Sequence, residues 1–229
     1  MQTIADRLLH AQKLIAQSID TAHRPANSVE LLAVSKTKPV SDLQQAYDAG
    51  QRRFGENYVQ EGVDKIQAFQ ALTDIEWHFI GPLQSNKTKL VAENFDWVQS
   101  VDRLKIAQRL SNQRPSHLPP LNICIQINVD DEVTKSGILL EEAESFADQV
   151  SALPNLTLRG LMTIPAATSN KAQQVTSFNT MRSLYDRLKI QHPTIDTLSM
   201  GMSGDLTLAI ACGATMVRIG TAIFGQRNS

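Results

Sequence analysis

Short apolar runs alternate along the chain with longer, more polar stretches whose apolar residues recur at helical spacing. The apolar runs have the composition of buried strands and cover residues 29–35, 52–55, 76–81, 95–100, 122–129, 156–162, 197–201 and 215–220. The helical stretches between them cover residues 41–49, 58–72, 87–94, 103–113, 139–153, 171–189 and 204–212. An alternation of this kind predicts parallel strands that are covered by helices.

Eight strand–helix units in a chain of 229 residues predict a closed (β/α)8 barrel, the TIM barrel of α/β proteins. An open, doubly wound sheet is the alternative that the pattern leaves open. Residues 1–24 predict an additional amphipathic helix before the first strand, because Ile4, Leu8 and Ala11 share one face. No linker or shift in composition divides the sequence, so we expect a single domain over residues 1–229.

Composition and charge argue against several classes of partner. The 22 basic and 23 acidic residues are interspersed and the formal net charge is -1, so we expect no nucleic-acid partner. No stretch is long and apolar enough to span a bilayer, and charged residues interrupt the first helix, so we expect neither a membrane anchor nor a signal peptide. The two cysteines, Cys124 and Cys212, favour a reducing compartment, the cytoplasm. The five histidines are scattered and indicate no metal site.

A lysine stands at the end of the first predicted strand, in the segment "LLAVSKTKPV". Leu32, Val34 and Lys36 share one face of a strand by its two-residue period, and (β/α)8 barrels carry their chemistry at the carboxyl ends of the strands. Lys36 is therefore expected to point into the barrel mouth, where partial loss of water favours the neutral amine that forms a Schiff base with an aldehyde. A solvated lysine or an ion-pair partner is the structural alternative. Lys38, just before Pro39, is expected near solvent.

The segments "SMGMSGD" and "VRIGTAIFG" end the last two predicted strands with glycines and hydroxyl side chains. Gly201, Gly204 and Gly220 allow backbone amides to approach an anion closely, and Ser203 and Thr221 supply hydroxyl donors. The amino terminus of the helix predicted from Gly204 adds partial positive charge. Phosphate sites after the seventh and eighth strands are frequent in this fold, so the two segments predict a phosphate-binding cup. Ordinary turns with helix caps are the structural alternative.

Two further polar residues lie in or near predicted strands. Glu56 comes directly after the second predicted strand, where it can pair with Lys36 or cap the next helix, and we expect the cap. His78 lies in the third predicted strand, "EWHFIG", where it can act as an acid or a base. For His78 we expect a hydrogen-bonded structural histidine.

Six motifs follow one another over nearly the whole chain: "AVSKTKP", "FGENYVQE", "WHFIGPLQSNK", "LRGLMTIP", "SMGMSGD" and "VRIGTAIFG". Together they resemble the motifs of the YggS/PROSC family, the pyridoxal 5'-phosphate homeostasis proteins. The resemblance implies the barrel of the alanine racemase N-terminal domain, with pyridoxal 5'-phosphate (PLP) as a cofactor bound to Lys36. It also implies a set of cofactor-binding residues: Lys36, Asn57, Met200, Ser203, Arg218, Gly220 and Thr221.

The resemblance assigns roles within this set. Ser203, Gly220 and Thr221 hold the phosphate, Asn57 lines the pocket, and Arg218 lies at the pyridine side of the cofactor. Because an arginine can only donate hydrogen bonds, Arg218 disfavours protonation of the pyridine nitrogen. It thereby weakens the cofactor ring as an electron sink.

The distinction between enzyme and carrier depends on a second catalytic base. In the racemases that share this barrel, a lysine and a tyrosine from a second, β-rich domain act on opposite faces of the cofactor ring. The present sequence ends at Ser229, four residues after Gly225, so we expect neither a second β domain nor its tyrosine. Tyr47, Tyr58 and Tyr185 lie in predicted helices and are expected to be packing residues with an exposed hydroxyl.

We therefore expect a monomeric PLP carrier without catalytic turnover. It would buffer PLP or deliver it to apo PLP-dependent enzymes, and so maintain vitamin B6 homeostasis. A small PLP-dependent amino-acid racemase is the alternative on the same fold. An aldolase-like barrel that uses Lys36 on a phosphorylated sugar is a third class, and it would show no cofactor absorbance.

Overall fold

The computed structural model describes residues 2–132 and 135–226 of the chain. Within these residues, eight parallel strands form a closed barrel in which sequence neighbours pair and the last strand pairs with the first. The strands are β1 (Glu30–Val34), β2 (Arg53–Glu56), β3 (Glu76–Phe79), β4 (Trp97–Val101), β5 (Leu121–Ile127), β6 (Leu156–Thr163), β7 (Thr197–Ser199) and β8 (Met216–Ile219). The predicted (β/α)8 barrel is confirmed, and the alternative of an open doubly wound sheet is wrong.

Helices connect the strands and cover the outside of the barrel. They are α1 (Ile4–Thr21), α2 (Val40–Asp48), α3 (Val59–Ala68), α4 (Thr88–Asn94), α5 (Leu104–Gln113), α6 (Ala143–Ser151), α7 (Lys171–Gln191), α8 (Leu206–Ala211) and α9 (Thr221–Phe224). The sequence pattern does not predict α9, because its four residues make about one turn and show no helical period. In the described part of the chain, no helix is long and apolar enough to cross a membrane.

The start of α8 differs from the prediction. The helix begins at Leu206 rather than at Gly204. The amide of Met202 donates to the Asp205 carboxylate at 2.6 Å, so the residues before Leu206 form a closed turn instead of the first turn of the helix.

The side chains of β1 alternate between two apolar cores. Leu31 and Ala33 belong to the large core between the strands and the helices. Leu32 and Val34 pack instead with Ile80 in a small, separate cluster inside the barrel. The two-residue alternation that we predict for this strand is therefore confirmed as far as Val34.

Pairing of β1 with β8 closes the barrel. Their register matches Glu30 with Met216 and Ala33 with Ile219. The closure makes β7, β8, β1 and β2 consecutive in the ring. Residues that follow these strands therefore meet along one side of the barrel mouth.

The additional helix α1 packs against α8 and α9, which follow the last two strands. Its start is fixed by a capping box, in which the Thr3 hydroxyl accepts from the Asp6 amide and the Asp6 carboxylate accepts from the Thr3 amide. The predicted apolar face is buried, with Ile4, Leu8, Ala11, Ile15 and Ile19. Arg7 donates to the carbonyl oxygen of Ile223 in α9. The helix therefore supports, from outside, the turns that the sequence predicts as a phosphate-binding cup.

Candidate functional site

The predicted cofactor-binding residues come from strands that are consecutive in the barrel ring. Those beyond the strand ends are Lys36 after β1, Asn57 after β2, Met200 and Ser203 after β7, and Gly220 and Thr221 after β8. Arg218 lies within β8 itself. Because parallel strands of a barrel open on the same face, the structure brings these residues to one mouth. Lys36 is half-buried there, and Met200 is buried beneath the turn after β7.

The end of β1 lies directly against the turn that follows β8. A Cβ atom placed on Gly220 would lie 3.1 Å from the carbonyl oxygen of Val34, so little room remains for a side chain. The amide of Arg218 donates to the carbonyl oxygen of Gly201 at 2.9 Å, which ties the turn after β7 to β8. The turn after β8 therefore lies against the strand end that carries Lys36, two residues after Val34, and the turn after β7 is bonded to β8.

The turn after β7 presents a hydroxyl group and an open glycine to solvent. Gly201 has a φ of 97°, and a Cβ atom there would lie 2.6 Å from that of Ala209, so the position requires glycine. A Cβ atom on Gly204 would meet no atom within 4 Å. Ser203 and Thr221 are exposed, and within the described residues their hydroxyls make no hydrogen bond. Two open hydroxyls on neighbouring turns can bind an anion such as a phosphate.

Asn57 is half-buried and contributes a buried side-chain oxygen. Its side-chain oxygen is buried and accepts no hydrogen bond within the described residues. The backbone of Asn57 packs closely against Gly81, because a Cβ atom on Gly81 would lie 2.1 Å from the Asn57 carbonyl oxygen. Since buried polar atoms are nearly always hydrogen-bonded, this amide is available to a ligand at the end of β2.

Arg218 is a buried cation on the inner side of β8. Its guanidinium donates to the Ser199 hydroxyl and to the Thr163 carbonyl oxygen, each at 2.8 Å. Burial lowers the pKa of Arg218 to about 10, so the side chain remains charged at neutral pH. The site therefore contains a fixed hydrogen-bond donor with a permanent positive charge.

Glu56 does not cap the next helix, and that prediction is wrong. Glu56 is the last residue of β2 and is fully buried, where its carboxylate accepts from Lys65 at 2.8 Å and from the Ser35 hydroxyl at 2.5 Å. Lys65 is also buried and donates to the Ser35 carbonyl oxygen at 2.8 Å. Both groups lose their hydration on burial, and the attraction between them offsets part of that cost. A carboxylate that caps a helix at the surface keeps its water and needs no such partner.

The same network fixes the backbone on both sides of Lys36. Lys65 donates to the Glu61 carboxylate at 2.7 Å, and the same carboxylate oxygen accepts from the amide of Thr37 at 2.5 Å. Ser35 and Thr37, the two neighbours of Lys36, are therefore both bonded to the group around Lys65. Thr37 has a φ of 62°, which this contact helps to stabilise.

His78 is a hydrogen-bonded histidine inside the barrel, as predicted. Its ring lies 3.3 Å from the Glu76 carboxylate and 2.9 Å from the side-chain amide of Gln99. Burial lowers the pKa of His78, although the hydrogen bond to Glu76 opposes this, so the ring is neutral. The sequence did not predict Gln99 or Ser199 as part of this network. A polar residue in an otherwise buried strand was the one signal that could have shown them.

The tyrosines only partly match the packing role predicted for them. Tyr185 is buried in α7, and Tyr47 packs against the core while its hydroxyl donates to Asp74 at the surface. Tyr58 precedes α3 and is 52% exposed beside Asn57, so its prediction as a packing residue in a helix is wrong. Of the three, Tyr58 follows a strand end at the mouth.

Comparison with known proteins identifies the family. The model of the alanine racemase N-terminal domain matches residues 12–228. A pyridoxal phosphate homeostasis protein of Pasteurella multocida is 59% identical over 229 residues, covering 99% of this chain and 98% of that protein. The chain belongs to the family of pyridoxal phosphate homeostasis proteins. The resemblance inferred from the six sequence motifs is thereby confirmed.

Two solved structures show how this family relates to its neighbours. PipY of Synechococcus elongatus, solved with PLP bound, is 37% identical, with a TM-score of 0.78, and the match covers 92% of this chain and 100% of PipY. An alanine racemase of Clostridium difficile has a TM-score of 0.76 and 17% identity, and covers 98% of this chain but only 58% of the racemase. The likeness to the racemase concerns the barrel fold alone.

Replacing Lys65 with methionine is expected to lower the free energy of unfolding by about 3–5 kcal/mol, because the buried Glu56 carboxylate then lacks its cation. Denaturant titration of the apo protein measures the loss. The double variant Lys65→Met/Glu56→Gln is expected to regain part of it. Lys89→Met is the matched control, because Lys89 pairs with Glu93 at the surface, and we expect a change of about 0.5 kcal/mol or less.

The stability of Lys65→Met should also depend on pH, and the pKa of Glu56 determines the direction of this dependence. Burial raises the pKa of Glu56 from its ordinary value of 4.5, and the charge of Lys65 opposes the rise, so the variant should raise it further. A raised pKa means that the folded state keeps a proton that the unfolded chain releases, so stability falls as pH increases above the ordinary value. Lys65→Met should therefore lose stability between about pH 5 and pH 7 more steeply than the unmodified protein. A parallel pH profile would show that Glu56 is not the buried anion.

Proposed function

We propose that this protein binds PLP at the barrel mouth through Lys36 and acts as a carrier that buffers the cofactor or delivers it. The observation that carries the proposal is the close approach of Gly220, in the turn after β8, to Val34, which lies two residues before Lys36 at the end of β1. The names of the relatives support it, because they are pyridoxal phosphate homeostasis proteins, and PipY has been solved with PLP bound.

The residues present fit this cofactor. Within the described chain, the buried side-chain oxygen of Asn57 accepts no hydrogen bond and the hydroxyls of Ser203 and Thr221 have no partner. Gly204 leaves open space above its turn. A ligand with a phosphate at one end and polar ring substituents at the other would satisfy all of these groups.

Lys36 is the proposed anchor. Its neutral amine can bond to the aldehyde carbon of PLP with release of one water molecule. When bound, the cofactor supplies this aldehyde together with an electron-accepting ring. Because Ser35 and Thr37 are both tied to the group around Lys65, the backbone on either side of Lys36 is fixed.

The turns after β7 and β8 are the proposed phosphate site. Ser203 and Thr221 would donate from their hydroxyls, while the backbone at Gly220 gives the anion close access to amide groups. Met200, buried beneath the turn, would support its position rather than contact the phosphate. Asn57 on β2 would bond to the polar edge of the ring from the other side of Lys36.

Arg218 is proposed to face the pyridine nitrogen. Its guanidinium is fixed by Ser199 and Thr163 and remains charged, so it can donate to the nitrogen and disfavours a proton there. This arrangement binds the ring but limits its capacity to stabilise a carbanion. That is compatible with a carrier and unfavourable for racemisation.

The proposal also covers the oligomeric state, the location and the partners of the protein. We propose a single cofactor-binding barrel, monomeric and cytoplasmic, with PLP and apo PLP-dependent enzymes as its partners. In the structure Cys124 and Cys212 are free thiols, as a reducing compartment would keep them. The racemase alternative rests on Tyr58, whose exposed side chain at the mouth is the available candidate for a second base.

The first test is the absorbance of the reconstituted protein. With PLP it is expected to be yellow, and Lys36→Ala is expected to lose the visible band, because no amine remains to bond to the aldehyde. Lys38→Ala is the matched control, since Lys38 donates to the Gln226 carbonyl oxygen at 2.7 Å and lies outside the proposed site. A protein that stays colourless with PLP would contradict the assignment, and a band retained in Lys36→Ala would place the bond on another lysine.

The second test separates the phosphate from the rest of the cofactor. Ser203→Ala/Thr221→Ala is expected to weaken PLP binding by about 2–5 kcal/mol, because each lost bond to a charged group contributes roughly 1.5–3 and the two are not additive. Titration with pyridoxal, which lacks the phosphate, is expected to show no change. Equal weakening of both ligands would place the phosphate elsewhere.

The third test decides between carrier and enzyme. The protein loaded with PLP is expected to racemise L-alanine slowly, because well-placed acid–base groups contribute about 10²–10⁴-fold and Lys36 serves one face of the ring. Transfer of PLP to an apo PLP-dependent enzyme is expected in the same preparation. Rapid loss of optical rotation that Tyr58→Phe abolishes would instead assign the protein to the racemases.

A further inference from the structure

A chain of hydrogen bonds crosses the barrel interior below the proposed cofactor site. It starts at Arg218, which donates to the Ser199 hydroxyl at 2.8 Å, and Ser199 contacts the side-chain oxygen of Gln99 at 2.6 Å. Gln99 contacts the Nδ1 atom of His78 at 2.9 Å, and the His78 Nε2 atom lies 3.3 Å from the Glu76 carboxylate. The chain therefore joins strands β8, β7, β4 and β3.

In this chain each group donates a hydrogen bond to the next, so the bonds run in one direction, from Arg218 to Glu76. Arg218 can only donate, so the Ser199 oxygen accepts from it, and the single Ser199 proton is donated to the Gln99 oxygen. The Gln99 amide nitrogen then donates to His78 Nδ1 and lies 3.2 Å from the Met216 sulfur. Because Nδ1 accepts, a neutral His78 must carry its proton on Nε2 and donate it towards Glu76.

Both ends of the chain carry charges that match its direction. Arg218, at the donor end, is a cation, and Glu76, at the acceptor end, is an anion. Burial works against ionisation of Glu76, but the hydrogen bond from His78 and the charge of Arg53 lower its pKa to about 2. Arg53 donates to the same carboxylate oxygen at 2.9 Å. Glu76 lines a cleft of about 300 Å³ with residues at the amino ends of the strands, on the face opposite the mouth.

The middle of the chain is rigid. Ser199, Gln99 and His78 are fully buried, and the His78 ring stacks on Trp97 with centroids 4.9 Å apart and planes 15° from parallel. Buried polar groups whose bonds are all satisfied have few alternative arrangements. The guanidinium of Arg218 is therefore held by a connected set of groups rather than by one neighbour.

We propose that Ser199, Gln99 and His78 are positioning residues that hold Arg218 at the pyridine side of the cofactor site through a chain of hydrogen bonds with one direction, anchored at Glu76. The identity of the bound ring rests on the proposed function. The direction of the chain does not, and it can be tested without PLP.

The first experiment reads the protonated nitrogen of His78 in the apo protein by heteronuclear NMR of labelled histidine. The unmodified protein is expected to carry its proton on Nε2. Gln99→Glu has the same shape but can no longer donate to Nδ1, so His78 is expected to become protonated on Nδ1. The charged groups that face His78 are Glu76 on its own strand, Asp96 before β4 and Arg53 on β2. A proton on Nδ1 in the unmodified protein, or an unchanged pattern in Gln99→Glu, would overturn the proposal.

The second experiment uses the absorbance of the bound cofactor. Ser199→Ala removes the bond to Arg218 and is expected to shift the wavelength of the PLP band and weaken binding about tenfold, as roughly one lost hydrogen bond would. Ser111→Ala is the matched control, because Ser111 is equally buried but donates to the Pro154 carbonyl oxygen outside the barrel interior. This control is expected to lose stability without shifting the band.

A pair of His78 variants tests the link further along the chain and covers the case that Ser199→Ala does not fold. His78→Asn keeps an acceptor near the position of Nδ1 and is expected to preserve the band, whereas His78→Leu removes it and is expected to shift the band. Bands that stay in place in both Ser199→Ala and His78→Leu would overturn the positioning role. If the unmodified protein bound no PLP, the proposed function would fail, while the His78 tautomer would still decide whether the chain has this direction.

Discussion

The pairing of β1 with β8 is the interaction on which the candidate site depends. The first and last strands of the barrel meet in register from Glu30 and Met216 to Ala33 and Ile219. In an open sheet these strands would not need to be neighbours, and Lys36 would be remote from the turn that begins at Gly220. Closure places the two backbones so close that a side chain at Gly220 would press on the end of β1. The geometry of the mouth is thus a consequence of the topology and of one glycine.

Buried charges impose a second constraint, because each must find partners away from water. Arg218 is satisfied by Ser199 and Thr163, and Lys65 by Glu56 and the Ser35 carbonyl oxygen. A buried ion pair such as Lys65–Glu56 is a weak contributor to stability, since the loss of hydration offsets much of the attraction, and a buried cation with neutral partners such as Arg218 gains less still. Both lie around the mouth and fix atoms next to proposed cofactor contacts. Their arrangement is therefore better explained by the positions they fix than by the stability they add.

Local sequence patterns were sufficient for the fold and for the residues at the strand ends. Apolar runs separated by helical spacing predicted the barrel, and the period of β1 predicted which of its side chains face the interior. Lys36 and the glycine-containing segments could be found because each follows a strand that the pattern identifies. The start of α8 and the short α9 could not, because a carboxylate-closed turn and a single helical turn leave no periodic signal.

Contacts between elements that are distant in the sequence were not predictable in the same way. Glu56 was expected to cap a helix because it follows a strand, but Lys65 on α3 reaches it inside the protein. Gln99 and Ser199 were overlooked, since a polar residue in a short strand looks the same whether it faces solvent or a partner across the barrel. The family motifs supplied the proposed cofactor-binding residues, yet they gave no information about the groups that hold those residues in place.

The likeness to alanine racemase shows what the barrel alone can contribute to function. One fold can serve several activities, because function depends on the groups placed at the site. The groups proposed for the site of this barrel are an amine, a phosphate site and a fixed cation, all of which serve binding. Racemisation also needs proton transfer on both faces of a ring and a site that excludes water. Here Ser203 and Thr221 are exposed, so the proposed phosphate site is open to solvent. In a catalyst such exposure is a disadvantage, whereas in a carrier it is the route by which the cofactor leaves.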